Sequence, residues 1–442
     1  MRTIDLRGQK LSPAGMLAAV PRATQARAEA LETATRIVDD VRTGGEDALR
    51  AQAEKFDRVT GHDLRVPGSH IDDAVAALAP EVRSALDEAI VRVRRASTAQ
   101  VPDARVTDIG PGARITQRWQ PVQRVGVYIP GGKAVYPSSV IMNVVPAQIA
   151  GVEQIALASP PQHDQGGRIH PVILAAAGLL GITEVYAMGG AGAIGAFAWG
   201  VPGLDLDPVD VVSGPGNNYV ASAKRAVAGV VGTDSEAGAT EILIVADAAA
   251  DARLIAADLV SQAEHDEQAS AVLVTDDAAL AERVAVEIEQ AAAATRHSER
   301  VAVSLAGPQS AIVLVDDRDM ATAFSNAYAP EHLELHLTDA EAAAAAFTSA
   351  GAVFVGDQTP VSLGDYMAGS NHVLPTGGQA RYAPGLGAYT FLRPQQVISY
   401  DHDALAAVRE GVVALANAEA LPAHGEAVEA RFQGAAEGTT TL

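Results

Sequence analysis

Two hydrophobic patterns divide the chain. Over about the first hundred residues, apolar positions recur at helical spacing. Leu31, Ala34, Ile37, Val38 and Val41 share one face of a helix predicted from Arg27 to Lys55. Ile71 to Ala96 reads as further helix, with Ser69 and Asp72 as candidate caps near its start. The character changes after Pro121, where Arg124 to Tyr128 is a short β-rich run closed by Ile129-Pro-Gly-Gly132. Strands are then expected at Ile155 to Ala158, Glu184 to Met188, Val209 to Val212, Ile242 to Ala246 and Ala271 to Thr275. Helices are expected between them at Pro171 to Leu180, Ala191 to Phe197, Tyr219 to Val227 and Leu254 to Glu264. Such alternation predicts parallel sheets covered by helices on both faces, in two successive stretches. The tail after about residue 390 reads as helical, with a frayed end from Gly434 to Leu442.

Composition narrows the function classes. With 442 residues, 48% hydrophobic and 19% charged, the chain is globular and long enough for several domains. No apolar run approaches the about 18 residues that cross a bilayer. The opening MRTIDLRGQK lacks the apolar stretch of a signal peptide, so a cytoplasmic, soluble protein without a membrane partner is expected. The net charge of −22 argues against a nucleic-acid partner, which would need clustered Lys and Arg. The absence of cysteine removes disulfides, thiolate ligands and a thiolate nucleophile. Any metal must then be held by His, Asp, Glu, Gln or Asn.

Several tracts could carry chemistry. Gly190-x-Gly192-x-x-Gly195 follows an expected strand and opens a helix, as a dinucleotide fingerprint does, with Asp207 and Asp210 near the spacing of a ribose-binding acid. A tightly packed glycine-rich helix start explains it equally well. Ser213-Gly-Pro-Gly-Asn217 is either a phosphate-receiving turn or an ordinary loop. Gln262 and His265 share a helix face and could meet one metal, or form a solvated helix end. Glu331-His332 opens an alternating run that places His332, Glu334 and His336 on one strand face. That face reads more readily as exposed and polar than as a metal site. Asp365 and His372 lie in a polar, glycine-rich loop. Glu419 and His424, and the remaining histidines His62, His70, His163, His170, His297 and His402, read as surface residues when taken singly.

Taken together, the tracts are specific. Tyr128-Ile-Pro-Gly-Gly132, Ser213-Gly-Pro-Gly-Asn217, Ser261-Gln-Ala-Glu-His265, Pro330-Glu-His332, Gly364-Asp-Tyr366 with Asn371-His-Val-Leu-Pro-Thr376, and Glu419 with His424 follow one another in a known order. From about Ile4 to Phe432 the sequence resembles the histidinol dehydrogenase family, zinc enzymes of the last steps of histidine biosynthesis. The resemblance implies an α/β fold: two incomplete Rossmann-like parallel-sheet domains with small N- and C-terminal helical segments, in a domain-intertwined homodimer. The expected division is a segment at 1–24, a first Rossmann-like domain from 25–127 and 241–386, a second, cofactor-side domain at 128–240, and a dimerisation segment at 387–442. It implies NAD-linked oxidation of L-histidinol through L-histidinal to L-histidine. Gln262, His265, Asp365 and His424 match zinc ligands, and Glu331 and His332 the catalytic pair. Thr240, His372 and Glu419 match further substrate contacts, to which the four ligands and Glu331 also belong. Tyr128, Asn217 and the position of Gly192 match NAD contacts, and Glu419 and His424 are expected to complete the neighbouring subunit's site.

The sequence departs from the family pattern at several points. Gly192 replaces a glutamine that contacts the cofactor, so one NAD contact is expected to be lost and the apparent fingerprint is partly a by-product of that change. Ala237-Gly-Ala-Thr-Glu241 lacks a usual proline, Ser370 replaces another, and Ala383-Pro-Gly-Leu-Gly387 replaces a serine-rich turn. The retained site residues weigh against the alternatives: a relative oxidising another amino alcohol or diol, or a catalytically silent metal-binding homologue. Without a thiol to form a thiohemiacetal, aldehyde oxidation must pass through the hydrate, with Glu331 activating water and His332 taking protons.

Overall fold

The computed structural model describes residues 1–22, 27–131, 134–235 and 238–433. Gly132, Ala237 and the tail Gly434 to Leu442 lie outside the described residues. The chain divides into two compact units, Met1–Val101 with Val122–Phe391, and Pro102–Pro121 with Leu392–Leu442. In chain order the strands are β1 (Arg2–Asp5), β2 (Arg105–Gly110), β3 (Ala113–Pro121), β4 (Arg124–Tyr128), β5 (Gln154–Ser159), β6 (Glu184–Ala187) and β7 (Val211–Ser213). They continue as β8 (Gly232–Thr233), β9 (Glu241–Ala246), β10 (Ser270–Thr275), β11 (Ala311–Leu314), β12 (His332–His336), β13 (Ala352–Val355) and β14 (Leu392–Tyr400).

The first unit holds the two expected parallel sheets. One has five strands in the order β6-β5-β4-β7-β8, the other six in the order β1-β11-β10-β9-β12-β13. The strands at the centres of both sheets, β4, β9 and β10, are buried along their whole length because helices cover both faces. In the six-stranded sheet, Ile242 and Ile244 pack with Ile255 and Leu259, whereas Leu243 and Val245 pack with Phe324 and Tyr328. Aspartates in the strand-to-helix loops cap the covering helices. Asp251, Asp277 and Asp317 accept the backbone N–H groups of Arg253, Leu280 and Met320.

The helical N-terminal region forms with more breaks than its pattern predicts. Helix Arg27–Gln52 is interrupted at Gly45, whose φ is 53°. The expected helix from Ile71 to Ala96 is two, Gly68–Ala76 and Pro80–Thr98, because Pro80 starts a new helix rather than continuing the old one. Neither Ser69 nor Asp72 caps the first of these, whose N-cap is Pro67.

Glycines set two close approaches. Gly195 faces helix Arg27–Gln52, where a Cβ would stand 3.2 Å from the Val38 Cα. Gly214 has φ of 118°, and a Cβ there would lie 2.0 Å from the Tyr128 carbonyl oxygen. The loop at Gly214 is also tied down by a buried ion pair. Lys224 Nζ lies 2.5 Å from Asp234 Oδ1 and donates to the Gly214 carbonyl, while Asp234 Oδ2 accepts the Gly214 N–H at 2.9 Å.

The second unit carries a feature absent from the sequence expectation. The strands β14-β3-β2 form an antiparallel sheet, followed by helices His402–Ala418 and Pro422–Glu429. The tail is therefore extended before it is helical. β2 is exposed along its whole length and β14 along nearly all of it, so no alternation of buried and exposed positions marks them.

Gly214→Ala is expected to destabilise the protein by about 1–3 kcal/mol, because it combines an unfavourable φ with a backbone clash. Urea unfolding measures this, and an unchanged midpoint would contradict it.

Candidate active site

Most of the expected chemistry collects at the N-terminal edge of β9 and β12. These strands are parallel neighbours, with His332 opposite Ile242. Thr240 and Glu331 immediately precede them. Helix Ala252–Ala263 connects β9 to its parallel neighbour β10, so its C-terminal end returns to the same edge. Gln262 lies in its last turn, and His265 follows just beyond. Asp365 belongs to the short helix Val361–Tyr366 rather than to the polar loop expected from the sequence.

A hydrogen-bond chain joins these elements. The Gln262 amide donates through Nε2 to Thr240 Oγ1 at 2.7 Å. The Thr240 hydroxyl donates to Glu331 Oε2 at 2.7 Å, which also accepts the Glu241 N–H at 3.0 Å. Gln262 Oε1 is buried and has no hydrogen-bonding partner among the described residues. An acceptor left bare in a buried site calls for a ligand that can fill it. Gln262, His265 and Asp365, the expected ligands, offer an N/O donor set that could hold a cation there and whose chemistry suits zinc.

The catalytic candidates are poised for proton transfer. His332 Nδ1 lies 3.0 Å from the Glu241 carbonyl, which can only accept, so Nδ1 carries the proton and Nε2 keeps its lone pair. Burial pushes the His332 imidazole below its ordinary value, partly offset by Asp365. Burial pushes the Glu331 carboxyl up to about 7 against the opposing Thr240 and Glu241 hydrogen bonds, and both His265 and Asp365 act on its charge. His372 stands in the same field: its Nδ1 meets the Asp365 carbonyl at 3.0 Å and its Nε2 the Ser139 hydroxyl at 3.1 Å. Burial lowers its basicity, and Asp365 opposes this.

One participant was not singled out from the sequence. Glu241 is buried, paired with Arg22 Nε at 2.6 Å, and raised to about 7 by burial. Its position at the head of an apolar strand was the available signal.

The expected cofactor residues lie at the C-terminal edge of the five-stranded sheet. Tyr128 ends β4, and its hydroxyl accepts the Gly190 N–H at 3.1 Å. Burial pushes that hydroxyl up to about 12. Asn217 caps helix Asn218–Ala226 by accepting from Tyr219 and Val220 at 3.0 and 3.2 Å. The strand order reverses between β4 and β7, where open α/β sheets bind ligands.

The profile of the histidinol dehydrogenase family matches residues 20–432. The chain belongs to the histidinol dehydrogenase family. Histidinol dehydrogenase of Leifsonia xyli subsp. xyli is 63% identical over 433 residues, covering 98% of this chain and 99% of the relative. That of Bifidobacterium longum is 52% identical over 440 residues, covering 98% and 93%. The crystal structure of histidinol dehydrogenase from Elizabethkingia anophelis matches with a TM-score of 0.91 at 32% identity, covering 98% of both chains.

Within this family framework, several residues have roles that their spacing did not disclose. Asp210 accepts the N–H groups of Gln123 and Arg124 at 2.7 and 3.0 Å, and the Asp207 carbonyl accepts from Arg124. Both sit at the N-terminal ends of β4 and β7, away from the edge where a ribose would lie. Gly192 and Gly195 serve helix packing, and a Cβ at Gly192 would stand 2.0 Å from Gln52 Oε1. The space that a side chain at 192 would enter is thus filled by Gln52. His62 is buried against the Ala187 carbonyl at 3.1 Å, not a surface residue. The face carrying His332, Glu334 and His336 is buried as well, not solvated. Glu419, which ends helix His402–Ala418, and His424, in helix Pro422–Glu429, belong to the second unit and are exposed in the single chain.

The raised carboxyls have a measurable consequence. Their folded proton affinity exceeds that of the unfolded chain, so their stabilising effect is full below about 4.5 and is lost as pH rises through about 7. In metal-free protein, Glu331→Gln is expected to flatten the decline of stability between those values. Chemical denaturation across this range tests it, and an unchanged slope would contradict it.

Proposed function

We propose that the chain oxidises L-histidinol through L-histidinal to L-histidine, using zinc and two NAD per turnover, as a homodimer with shared sites. The buried, unpartnered Gln262 Oε1 carries this reading, because Thr240 aims it away from the protein's own donors and also holds the catalytic Glu331. Gln262, His265 and Asp365 would hold the metal together with the neighbouring subunit's copy of His424. When bound, zinc supplies Lewis acidity and orients the substrate's amine and imidazole nitrogens, and NAD accepts the hydride.

The chain's own groups do the proton work. His332 Nε2 takes the hydroxyl proton as the hydride departs from the carbinol carbon. The imidazolium so formed is stabilised by Glu331, whose Oε2 lies 3.6 Å from Nδ1. For the second oxidation, Glu331 accepts a proton from water as its oxygen adds to the aldehyde carbon, and the His332 imidazolium returns its proton to the carbonyl oxygen, giving the hydrate and freeing Nε2. His332 then takes a hydrate proton as the second hydride leaves. Thr240, His372 and the neighbouring Glu419 would bind the substrate's polar groups. Tyr128 and Asn217 line the proposed NAD edge beside Gly192.

The surface of the second unit supports the dimer. Among its described residues, the buried hydrophobic side chains are only Ala113, Leu392, Ala404 and Ala416. Val106, Ile109, Ile398, Leu415 and Leu421 are exposed. So little buried apolar surface cannot sustain a unit of this size alone, and a second copy would cover the remainder.

NADH formation from L-histidinol, followed by absorbance with chelator and then with added zinc, tests the function. Activity lost to the chelator and restored by zinc is expected, whereas no NADH from L-histidinol would overturn the reading. His332→Ala should lower kcat by about 10²–10⁴-fold while zinc content stays intact. Zinc loss in that variant would contradict the assigned role. Ile398→Glu should yield monomers in sedimentation with weakened zinc binding, and a fully active monomer would exclude the shared site.

A further inference from the structure

Behind the proposed metal site lie three ionisable side chains that the mechanism does not use. Asp258 sits one helical turn before Gln262 on Ala252–Ala263. Glu334 and His336 follow His332 on the same face of β12, and both are at least nine-tenths buried. Glu334 Oε1 accepts the Val361 N–H at 2.8 Å, at the first residue of the helix that carries Asp365. Its Oε2 meets His336 Nε2 at 3.3 Å, and that nitrogen lies 3.9 Å from Asp258 Oδ2. Asp258 also hydrogen-bonds Glu334, and burial with the Glu334 charge pushes its carboxyl up.

We infer that Asp258, Glu334 and His336 form a positioning network that fixes the relative placement of the metal ligands. The network touches each element on which the site stands: the helix that bears Gln262 and leads to His265, the strand that begins with His332 just after Glu331, and the helix of Asp365. A six-residue helix is too short to hold itself in place, so its orientation depends on what ties its ends. Pro360 at its N-cap offers no side-chain cap, and Glu334 supplies the tie from the strand. Burying three ionisable groups costs stability relative to apolar packing, so the network's benefit is sought in geometry. Glu334 Oε1 is committed to the Val361 N–H, which ties the cluster to the Asp365 helix. Partners behind the ligands tune metal sites by about 10–100-fold in affinity.

This inference rests on Gln262, His265 and Asp365 being metal ligands. The test measures zinc affinity by competition with a chromophoric chelator on full-length protein, alongside thermal unfolding of the metal-free form. Glu334→Leu should weaken zinc binding by about 10–100-fold, while Glu334→Gln, which keeps an acceptor for Val361, should stay close to wild type. Val361→Pro provides a second route should Glu334→Leu fail to fold. It removes the N–H that Glu334 accepts, at a first helical position where proline is tolerated, while exchanging the buried Val361 side chain for another apolar one, and should weaken zinc similarly. Wild-type zinc affinity in a folded Glu334→Leu or in Val361→Pro, even with a lowered melting temperature, would overturn the inference. So would a second zinc per chain that His336→Ala removes. Wild-type protein whose zinc binding is indifferent to Gln262→Ala and Asp365→Ala would instead defeat the ligand assignment beneath it.

Discussion

The hydrogen-bond chain from Gln262 through Thr240 to Glu331 is the constraint on which the site depends. One hydroxyl serves two masters: it accepts from the amide and donates to the carboxylate, so neither can turn without releasing the other. The amide oxygen is thereby aimed into the site without a protein donor, and the carboxyl is held in a buried setting where its proton affinity approaches neutrality. The proposed metal-binding and proton-transferring functions are therefore coupled through Thr240, a residue with no charge and no redox chemistry.

The location of this chain is unusual for parallel sheets, whose ligands ordinarily lie beyond the C-terminal strand ends. In the five-stranded sheet the candidate cofactor residues Tyr128 and Asn217 lie at that edge, at its reversal of strand order. In the six-stranded sheet the corresponding C-terminal edge is closed by polar contacts, with Thr338 donating through its backbone and hydroxyl to Asp247. Its candidate site residues Thr240, Gln262 and Glu331 gather instead at the opposite edge, where the helix bearing Gln262 returns. Beneath that edge Asp258, Glu334 and His336 cluster, with His336 Nε2 at 3.3 Å from Glu334 Oε2 and 3.9 Å from Asp258 Oδ2.

Much of the fold was legible because βα alternation is a local property of sequence. β4 to β7, β9, β10 and the four helices expected among them fall within a few residues of their predicted positions, whereas the helix Pro137–Ala150 between β4 and β5 was not foreseen. What failed were inferences that need tertiary context. The period of two at His332, Glu334 and His336 correctly puts them on one face but cannot say what covers it, and the covering helix supplies Asp258. The glycines at 190, 192 and 195 match a cofactor fingerprint, yet close packing against Val38 and Gln52 explains two of them. The strands β2 and β14 were missed because exposed strands impose little hydrophobic alternation. The candidate site was found through its motifs, whereas the mutual arrangement of Thr240, Gln262 and Glu331 emerged only in three dimensions.

The central claim, that each site combines one subunit's Gln262-Thr240-Glu331 chain with its neighbour's His424, is tested most directly by subunit mixing. His424→Ala and Glu331→Gln variants, each inactive alone, would be unfolded and refolded together, and histidinol-dependent NADH formation measured. Mixed dimers contain one site with neither substitution, so about one quarter of wild-type activity should return if subunits pair at random and sites act independently. Mixtures no more active than their components, with mixed dimers verified by mass, would contradict the shared site.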